Sequence, residues 1–224
     1  LTRSSAASDV YKRQLMISAT PVLLAAVGEA VVEKSGVLNL GVEGMMITGA
    51  VIGFIIAVNT QIPIYGFICA AIAGALLSVL FAILTQYLMS NQVATGLGLT
   101  MVGLGLSALI GKPYEGIKSP TLTKLDIPIL SEIPILGPMI FSHDIIVYFS
   151  ILVVATVSFV INKTRVGLIL RAVGENQEAA HALGYKVIRI RFLAIMFGGA
   201  AAGMGGAYIS CLLYTSDAAD DRVS

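Results

Sequence analysis

The segment IYGFICAAIAGALLSVLFAILTQYL, residues 64–88, contains no charged residue and decides the fold class. A helix that crosses the hydrocarbon core of a bilayer needs about 20 mostly apolar residues, and this segment satisfies that requirement. Lipid offers the backbone no hydrogen-bond partners, so only α-helices and closed β-barrels span membranes. Barrel strands alternate apolar and polar residues over roughly ten positions, which this segment does not do. The sequence therefore predicts a transmembrane helix.

Further segments have the same character, so we predict an all-α polytopic membrane protein, a bundle of about six transmembrane helices. The composition agrees, since 57% of the residues are hydrophobic, 12% are charged and the mean hydropathy is +0.90. A soluble chain of this length needs more polar surface. Glu29 and Glu43 are the only charged residues inside the predicted spans, which are 15–31, 38–57, 64–88, 93–111, 145–161 and 192–210.

Several classes of function are excluded by the composition and the motifs. A net charge of +1 provides no basic footprint for nucleic acid. Cys69 and Cys211 predict no disulfide framework, and His143 and His181 are too far apart to form a local metal-ligand pair. The sequence has no phosphate-binding glycine loop and no nucleophile elbow. We therefore expect neither an enzyme active site nor a metal or cofactor in this chain.

The basic residues predict the orientation of the bundle. The connection 162–191 carries Lys163, Arg165, Arg171, Lys186, Arg189 and Arg191. The connection 112–144 carries only Lys112, Lys118 and Lys124. Lys34, in the link 32–37, lies on the same side of the membrane as 162–191. Basic residues accumulate on the cytoplasmic side, so we expect 162–191 in the cytoplasm of a bacterium and the chain in its cytoplasmic membrane. The outer loop 112–144 holds five prolines, which predicts short pieces on the outer rim: Pro113, Pro120, Pro128, Pro134 and Pro138.

The two ends differ in composition from the middle of the chain. Residues 1–14, LTRSSAASDVYKRQ, and residues 211–224, CLLYTSDAADDRVS, resemble translated sequencing-adaptor read-through. We therefore expect both to be non-native tails, outside a membrane domain of residues 15–210 whose true termini are missing. Genuine polar tails are the alternative.

Glycines recur in three of the predicted spans and indicate where helices pack. Small residues let helix backbones approach closely, and van der Waals contact then replaces the hydrophobic force that lipid does not supply. We expect a tightly packed bundle with close contacts at Gly41, Gly44, Gly49, Gly53, Gly96, Gly98, Gly103, Gly105, Gly199, Gly203 and Gly206.

The stretch RAVGENQEAAHALGY, residues 171–185, predicts a short capped helix between two spans. Asn176 suits the N-cap and Gly184 the C′ position, which leaves the eight positions from Gln177 for two helical turns. Glu175 and Glu178 lie near the positive end of the helix dipole. Ala179, Ala180, Ala182 and Leu183 are expected to form a small-residue surface that a partner could cover. An ordinary amphipathic connector is the alternative.

Glu178-Ala179-Ala180-x-x-x-Gly184 resembles the EAA loop of bacterial ABC-importer permeases, whose short helix docks on the ATPase subunit. The Ile-x-Leu-Pro continuation of the maltose-type permeases is absent, because the corresponding region reads Ala194-Ile195-Met196-Phe197. The branch for simple sugars, nucleosides and branched-chain amino acids remains. Motifs similar to that branch are Gly28-Glu29, SGVLNLGVEG at 35–44, NQVATGLGLT at 91–100 and TRVGLILR at 164–171.

This resemblance covers nearly all of residues 15–210 and is strongest for nucleoside and simple-sugar permeases. It implies an importer subunit that holds no ATP or Mg²⁺ itself, since an ABC ATPase partner would hydrolyse the ATP. It also implies a second permease subunit, identical or related, and an extracytoplasmic solute-binding protein that contacts the outer loop. The family's membrane domain is longer, so this one is incomplete. The residues expected to contact the ATPase are Arg171, Glu175, Glu178, Ala179, Ala180 and Gly184.

Polar residues within or beside the spans are candidates for a solute path. A charged carboxylate in hydrocarbon is costly, so Glu29 and Glu43 are expected to face the bundle interior. Asn39 precedes Glu43 by one helical turn and should share its face. The other candidates are Asn91, Gln92, Thr95 and Thr100. For Asn39 and Glu43 the alternative is that they cap or satisfy a broken helix start around 37–41. For the other four it is helix-start capping and back-bonding to carbonyls.

Two other classes of protein remain open on the sequence alone. An ion-coupled secondary carrier would use Glu29 and Glu43 as protonatable groups, and uptake would then need no ATP. A membrane scaffold or channel would perform no driven transport. The EAA-like stretch favours the ABC permease, because a carrier has no need of a docking helix.

Overall fold

The computed structural model describes residues 2–117 and 145–220, with side chains at 15–117 and 145–210. Every regular element in these ranges is helical, which confirms the all-α prediction. A π-helical turn, Ile83–Tyr87, extends the third helix, and a 3-10 turn, Lys112–Tyr114, follows the fourth. The α-helices are α1 Thr2–Lys34, α2 Val42–Thr60, α3 Pro63–Ala82, α4 Gln92–Gly111, α5 Ile145–Lys163, α6 Arg165–Glu175, α7 Gln177–Ala182 and α8 Val187–Asp220.

Six helical stretches are long and apolar enough to cross a membrane, which confirms the predicted number. Two of them begin more than one residue away from the start that the apolar pattern indicates. The second starts at Val42 rather than 38, because residues 35–41 leave the helical conformation. The last starts at Val187 rather than 192, because the helix continues through two arginines. The spans are Leu15–Lys34, Val42–Thr60, Pro63–Tyr87, Gln92–Tyr114, Ile145–Lys163 and Val187–Ser210.

Helix α8 lies at the centre of the bundle and packs against α1, α2 and α3. The side chains of Met45, Phe81 and Ile195 are fully buried in the largest core cluster. Helix α4 packs on the outer side of α2, and α5 packs on α1 and α6. The helices that surround α8 therefore form the compact part of the molecule.

Glycines bring α8 into backbone contact with its neighbours. A Cβ atom on Gly49 would collide with the backbone of Gly203, and one on Gly203 with the carbonyl oxygen of Ala70. A Cβ on Gly206 would meet the carbonyl oxygen of Met46. These approaches require glycine, as expected where van der Waals contact holds transmembrane helices together.

The glycine prediction is wrong at two positions of α4. A Cβ atom on Gly98 or Gly105 would meet nothing within 4 Å, whereas one on Gly96 or Gly103 would contact the backbone around Gly41 and Gly44. Gly98 and Gly105 lie two helical turns apart on the face that points away from α2. They therefore make no close helix contact within this chain.

The bundle has two distinct ends. At one end lie the connections 35–41 and 88–91 together with α6 and α7; we name it the basic end because it carries Lys34 and the basic residues of 163–191. At the opposite end, Asn59 Nδ2 donates a hydrogen bond to the hydroxyl of Tyr114 at 3.3 Å. Most of the predicted outer loop, 118–144, lies outside the described residues.

Candidate functional site

Helix α7 is held by a cap at each end. The Asn176 side chain accepts a hydrogen bond from the Ala179 amide at 3.0 Å, which confirms the predicted N-cap. Gly184 has φ +87°, a left-handed conformation that favours glycine. Its amide bonds to His181 O at 2.9 Å and the Tyr185 amide to Ala180 O at 3.1 Å, the pattern of a Schellman motif. This motif ends the helix two residues earlier than predicted.

One side of α7 faces the bundle and the other faces solvent. Ala180 is buried and packs against Val173 of α6 and Val187 of α8. The expectation that it belongs to an outward surface is therefore wrong, because a helix this close to α6 must bury one stripe. The outward side, which we name the α7 surface, consists of Glu178, Ala179, Ala182 and Leu183. Leu183 is its most prominent apolar group, with 76% of its area exposed.

Arg171 and Glu175 belong to α6 rather than to α7. Glu175 is the last residue of α6 and is exposed, beside the N-cap of α7. Arg171 is half-buried, and its Nε atom has no hydrogen-bond partner among the described residues. Both therefore flank the α7 surface.

The connecting segment, residues 35–41, is non-helical, with a turn at each end and residues 37–39 between the two turns. Its burial alternates: Ser35, Val37, Asn39 and Gly41 are buried, and the residues between them are exposed. The helical period of 3.6 is therefore interrupted between α1 and α2, and alternate residues of the segment pack on protein. The expectation that Asn39 and Glu43 share a helical face is therefore wrong. Asn39 precedes α2 and is buried, and Glu43 in its first turn is exposed.

Four of the polar candidates act on the backbone of the connecting segment. Glu29 Oε1 accepts a hydrogen bond from the Asn39 amide at 3.2 Å, and Gln92 Oε1 accepts one from the Leu38 amide at 2.9 Å. The Thr100 hydroxyl donates to Leu40 O at 3.3 Å. Asn39 Oδ1 accepts from the Gly41 amide at 3.0 Å. Because a non-helical segment inside a bundle lacks helical hydrogen bonds, these side chains supply the missing partners.

The remaining candidates have other surroundings. Asn91 caps α4 by accepting hydrogen bonds from the amides of Val93 at 3.0 Å and Ala94 at 3.2 Å. The Thr95 hydroxyl lies 2.9 Å from that of Ser90. Glu43 is exposed near the basic end. The hydrogen bonds at Asn39 and Asn91 agree with the capping alternative, and the solute path stays a prediction.

Sequence reasoning missed the contacts of Arg191. Its Nε donates to Ser35 O at 3.0 Å, its Nη1 to Gln177 Oε1 at 2.8 Å, and its Nη2 to Val173 O at 3.5 Å. The sequence showed Arg191 only as one basic residue of a loop. An arginine directly before an apolar run, with no acidic neighbour to pair with, was the available signal.

The sequence of this six-span bundle also shows to which family it belongs. Residues 13–223 match the family described as the branched-chain amino acid transport system / permease component. The chain belongs to this permease family. The resemblance seen in its motifs is thereby confirmed, and its relatives are transport components rather than enzymes. No solved structure matches it.

Three relatives show which proteins the permease chain resembles. It is 37% identical over 197 residues to a putative glucose ABC transporter permease of Haloferax volcanii, covering 86% of this chain and 60% of the relative. It is 34% identical over 206 residues to a guanosine ABC transporter permease of Bacillus subtilis, covering 85% and 64%. It is 30% identical over 210 residues to a nucleoside ABC transporter permease of Lactococcus lactis, covering 89% and 66%. The permease chain thus spans less than two thirds of the length of these relatives.

Proposed function

We propose that this chain is a membrane-spanning subunit of an ATP-binding-cassette importer for a nucleoside or a simple sugar. The observation that carries the proposal is the capped helix α7, which presents Glu178, Ala179, Ala182 and Leu183 to solvent beyond the end of a transmembrane bundle. Its buried Ala180 fixes it to α6 and α8, so a force applied to α7 reaches the spans. In a subunit of a driven importer, that is the arrangement needed to receive work from a partner.

The proposed orientation places the basic end in the cytoplasm of a bacterium, in accordance with the distribution of lysine and arginine. An ATPase subunit, which binds ATP and Mg²⁺, would then dock on the α7 surface. A second permease subunit, identical or related, would cover lipid-exposed faces of this chain and complete the path. A solute-binding protein would deliver the solute at the opposite end.

Nucleosides rank before simple sugars as the proposed solute, and branched-chain amino acids follow. Support comes from relatives named for guanosine, nucleoside and glucose transport. Both preferred classes carry hydroxyl groups, which pair with neutral and anionic acceptors on the protein.

We include Glu43 in the proposed solute path because its carboxylate is exposed in the first turn of α2, close to the connecting segment. Glu43→Gln should raise the KM for uptake about tenfold, the effect of losing a hydrogen bond to a charged group. Thermal stability should not change, because the side chain is exposed. Glu33→Gln, an exposed carboxylate of α1 that is not part of the proposed path, is the matched control. An unchanged KM in the Glu43 variant would remove this residue from the path.

The driving force separates the ABC importer from an ion-coupled carrier. The protein is reconstituted into liposomes with its ATPase and second permease subunit, and solute uptake is measured with ATP on the ATPase side. We expect uptake to require ATP and to persist when ionophores collapse the proton and sodium gradients. Uptake driven by an ion gradient without ATP would favour the carrier.

A further inference from the structure

We propose that Arg191 is a positioning residue that links α7 to the connecting segment 35–41 and so passes the movement of α7 to three spans. This inference rests on the proposed function, because it assumes that a partner moves α7. It assigns a role to a residue at the base of α8 that none of the sequence motifs includes.

The Arg191 guanidinium joins three separate parts of the basic end. It donates to the side chain of Gln177, the first residue of α7, at 2.8 Å. It donates to the carbonyl oxygen of Ser35 in the connecting segment at 3.0 Å and to that of Val173 near the end of α6 at 3.5 Å. All three acceptors are neutral oxygens. The fixed fork of guanidinium donors holds such a set in a defined geometry, which a lysine ammonium does not reproduce.

The backbone around this contact leaves little room for independent movement. Gly36 has φ +80°, and a Cβ atom there would lie 3.0 Å from both Arg191 Nη2 and the Cα of Gly174. A Cβ atom on Gly174 would collide with the carbonyl oxygen of Lys34. The end of α6 therefore lies directly against the turn that begins the connecting segment, and the Arg191 side chain closes the remaining space.

The connecting segment distributes a displacement further. It is bonded to α1 through Glu29, to α4 through Gln92 and Thr100, and it continues directly into α2. A shift of Gln177 is thus transmitted through Arg191 to Ser35 and from there to the inner ends of α1, α2 and α4. Chains of hydrogen bonds and packed groups of this kind carry energetic coupling between distant parts of a protein.

Hydrogen exchange of the purified chain tests the contact without ATP or a partner. Arg191→Gln should accelerate amide exchange in a peptide covering 35–41 about tenfold, since one acceptor loses a charged donor. Arg191→Lys, which keeps the charge but not the fork, should accelerate it as well. Arg189→Gln is the matched control because Arg189 is exposed on the same helix. Unchanged exchange in the core of α8 shows that each variant is folded.

Two exchange results would overturn the proposal. One is exchange of 35–41 in Arg191→Gln that equals the unmodified chain. The other is exchange of 35–41 in Arg191→Lys that equals the unmodified chain. A positive charge alone would then hold the segment, and the geometry of the guanidinium would not be needed.

Transport by the assembled importer supplies the second readout. Arg191→Gln should lower the number of solute molecules taken up per ATP hydrolysed about fivefold, whereas Arg189→Gln should leave that ratio unchanged. A purely structural role would lower uptake and hydrolysis together and preserve the ratio, and that result would overturn the inference. Absence of ATP-driven uptake in the unmodified complex would count against the proposed function instead, while the exchange result still decides whether Arg191 holds the segment.

Discussion

Replacing Gly203 by leucine should strongly destabilise the bundle. A Cβ atom at this position would collide with the carbonyl oxygen of Ala70 and lie 3.2 Å from the Cα of Gly74. Backbone atoms cannot move aside as the end of a side chain can, so α8 would have to separate from α3. We expect a loss of about 3 kcal/mol in the free energy of unfolding, the upper part of the usual range for overpacked cores. Size-exclusion chromatography after heating in detergent measures the folded fraction.

Gly105→Leu is the matched control for this prediction. It introduces the same side chain into another transmembrane helix, but a Cβ atom at Gly105 would meet nothing within 4 Å. The two variants have the same intrinsic effect on helix propensity, so their difference reports packing. In the isolated chain, the free energy of unfolding of Gly105→Leu should differ from that of the unmodified protein by less than about 0.5 kcal/mol. Equal destabilisation of both variants would contradict the close contacts described for α8.

Leu183→Asp is expected to abolish ATP-driven uptake while leaving the bundle intact. With 76% of its area exposed at the end of α7, Leu183 contributes little to stability within the chain. If the ATPase covers the α7 surface, burial of a carboxylate there should weaken its binding by about 2 kcal/mol or more, as at an interface hot spot. That corresponds to about a thirtyfold loss of affinity. Co-purification with the ATPase measures the loss of affinity, and uptake into liposomes measures the loss of transport.

The control for this prediction is Leu183→Met, which keeps an apolar side chain of similar volume and should retain both binding and uptake. Thermal unfolding of the isolated chain should be the same for all three proteins. Normal ATPase binding by Leu183→Asp would exclude the α7 surface as the docking site. A loss of folded protein in that variant would instead show that Leu183 acts within the bundle.

Hydropathy predicted the six spans because the membrane imposes a local rule on every stretch of about 20 residues. The caps of α7 could also be predicted, because Asn176 and Gly184 act on amides and carbonyls within a few residues of themselves. Features of this kind depend on short sequence windows. They can therefore be predicted from the sequence of a single chain.

The connecting segment could not be predicted in this way. Leu38 and Leu40 continue the apolar pattern of the span that follows. The non-helical form of the segment is stabilised by Gln92, 54 positions beyond Leu38, and by Arg191, 156 positions beyond Ser35. The same limit explains the glycines of α4. Gly96 and Gly98 are chemically identical, and only the rotation of α4 against α2 decides which of them makes contact.

The backbone contacts of α8 also determine which helices are free to move. Carbonyl and Cα atoms of α2, α3 and α8 meet without intervening side chains, so these helices cannot slide past one another without breaking many contacts at once. Helices α4 and α5 are the least enclosed of the six spans. We therefore expect α2, α3 and α8 to move together as one block, and α4 and α5 to shift relative to it.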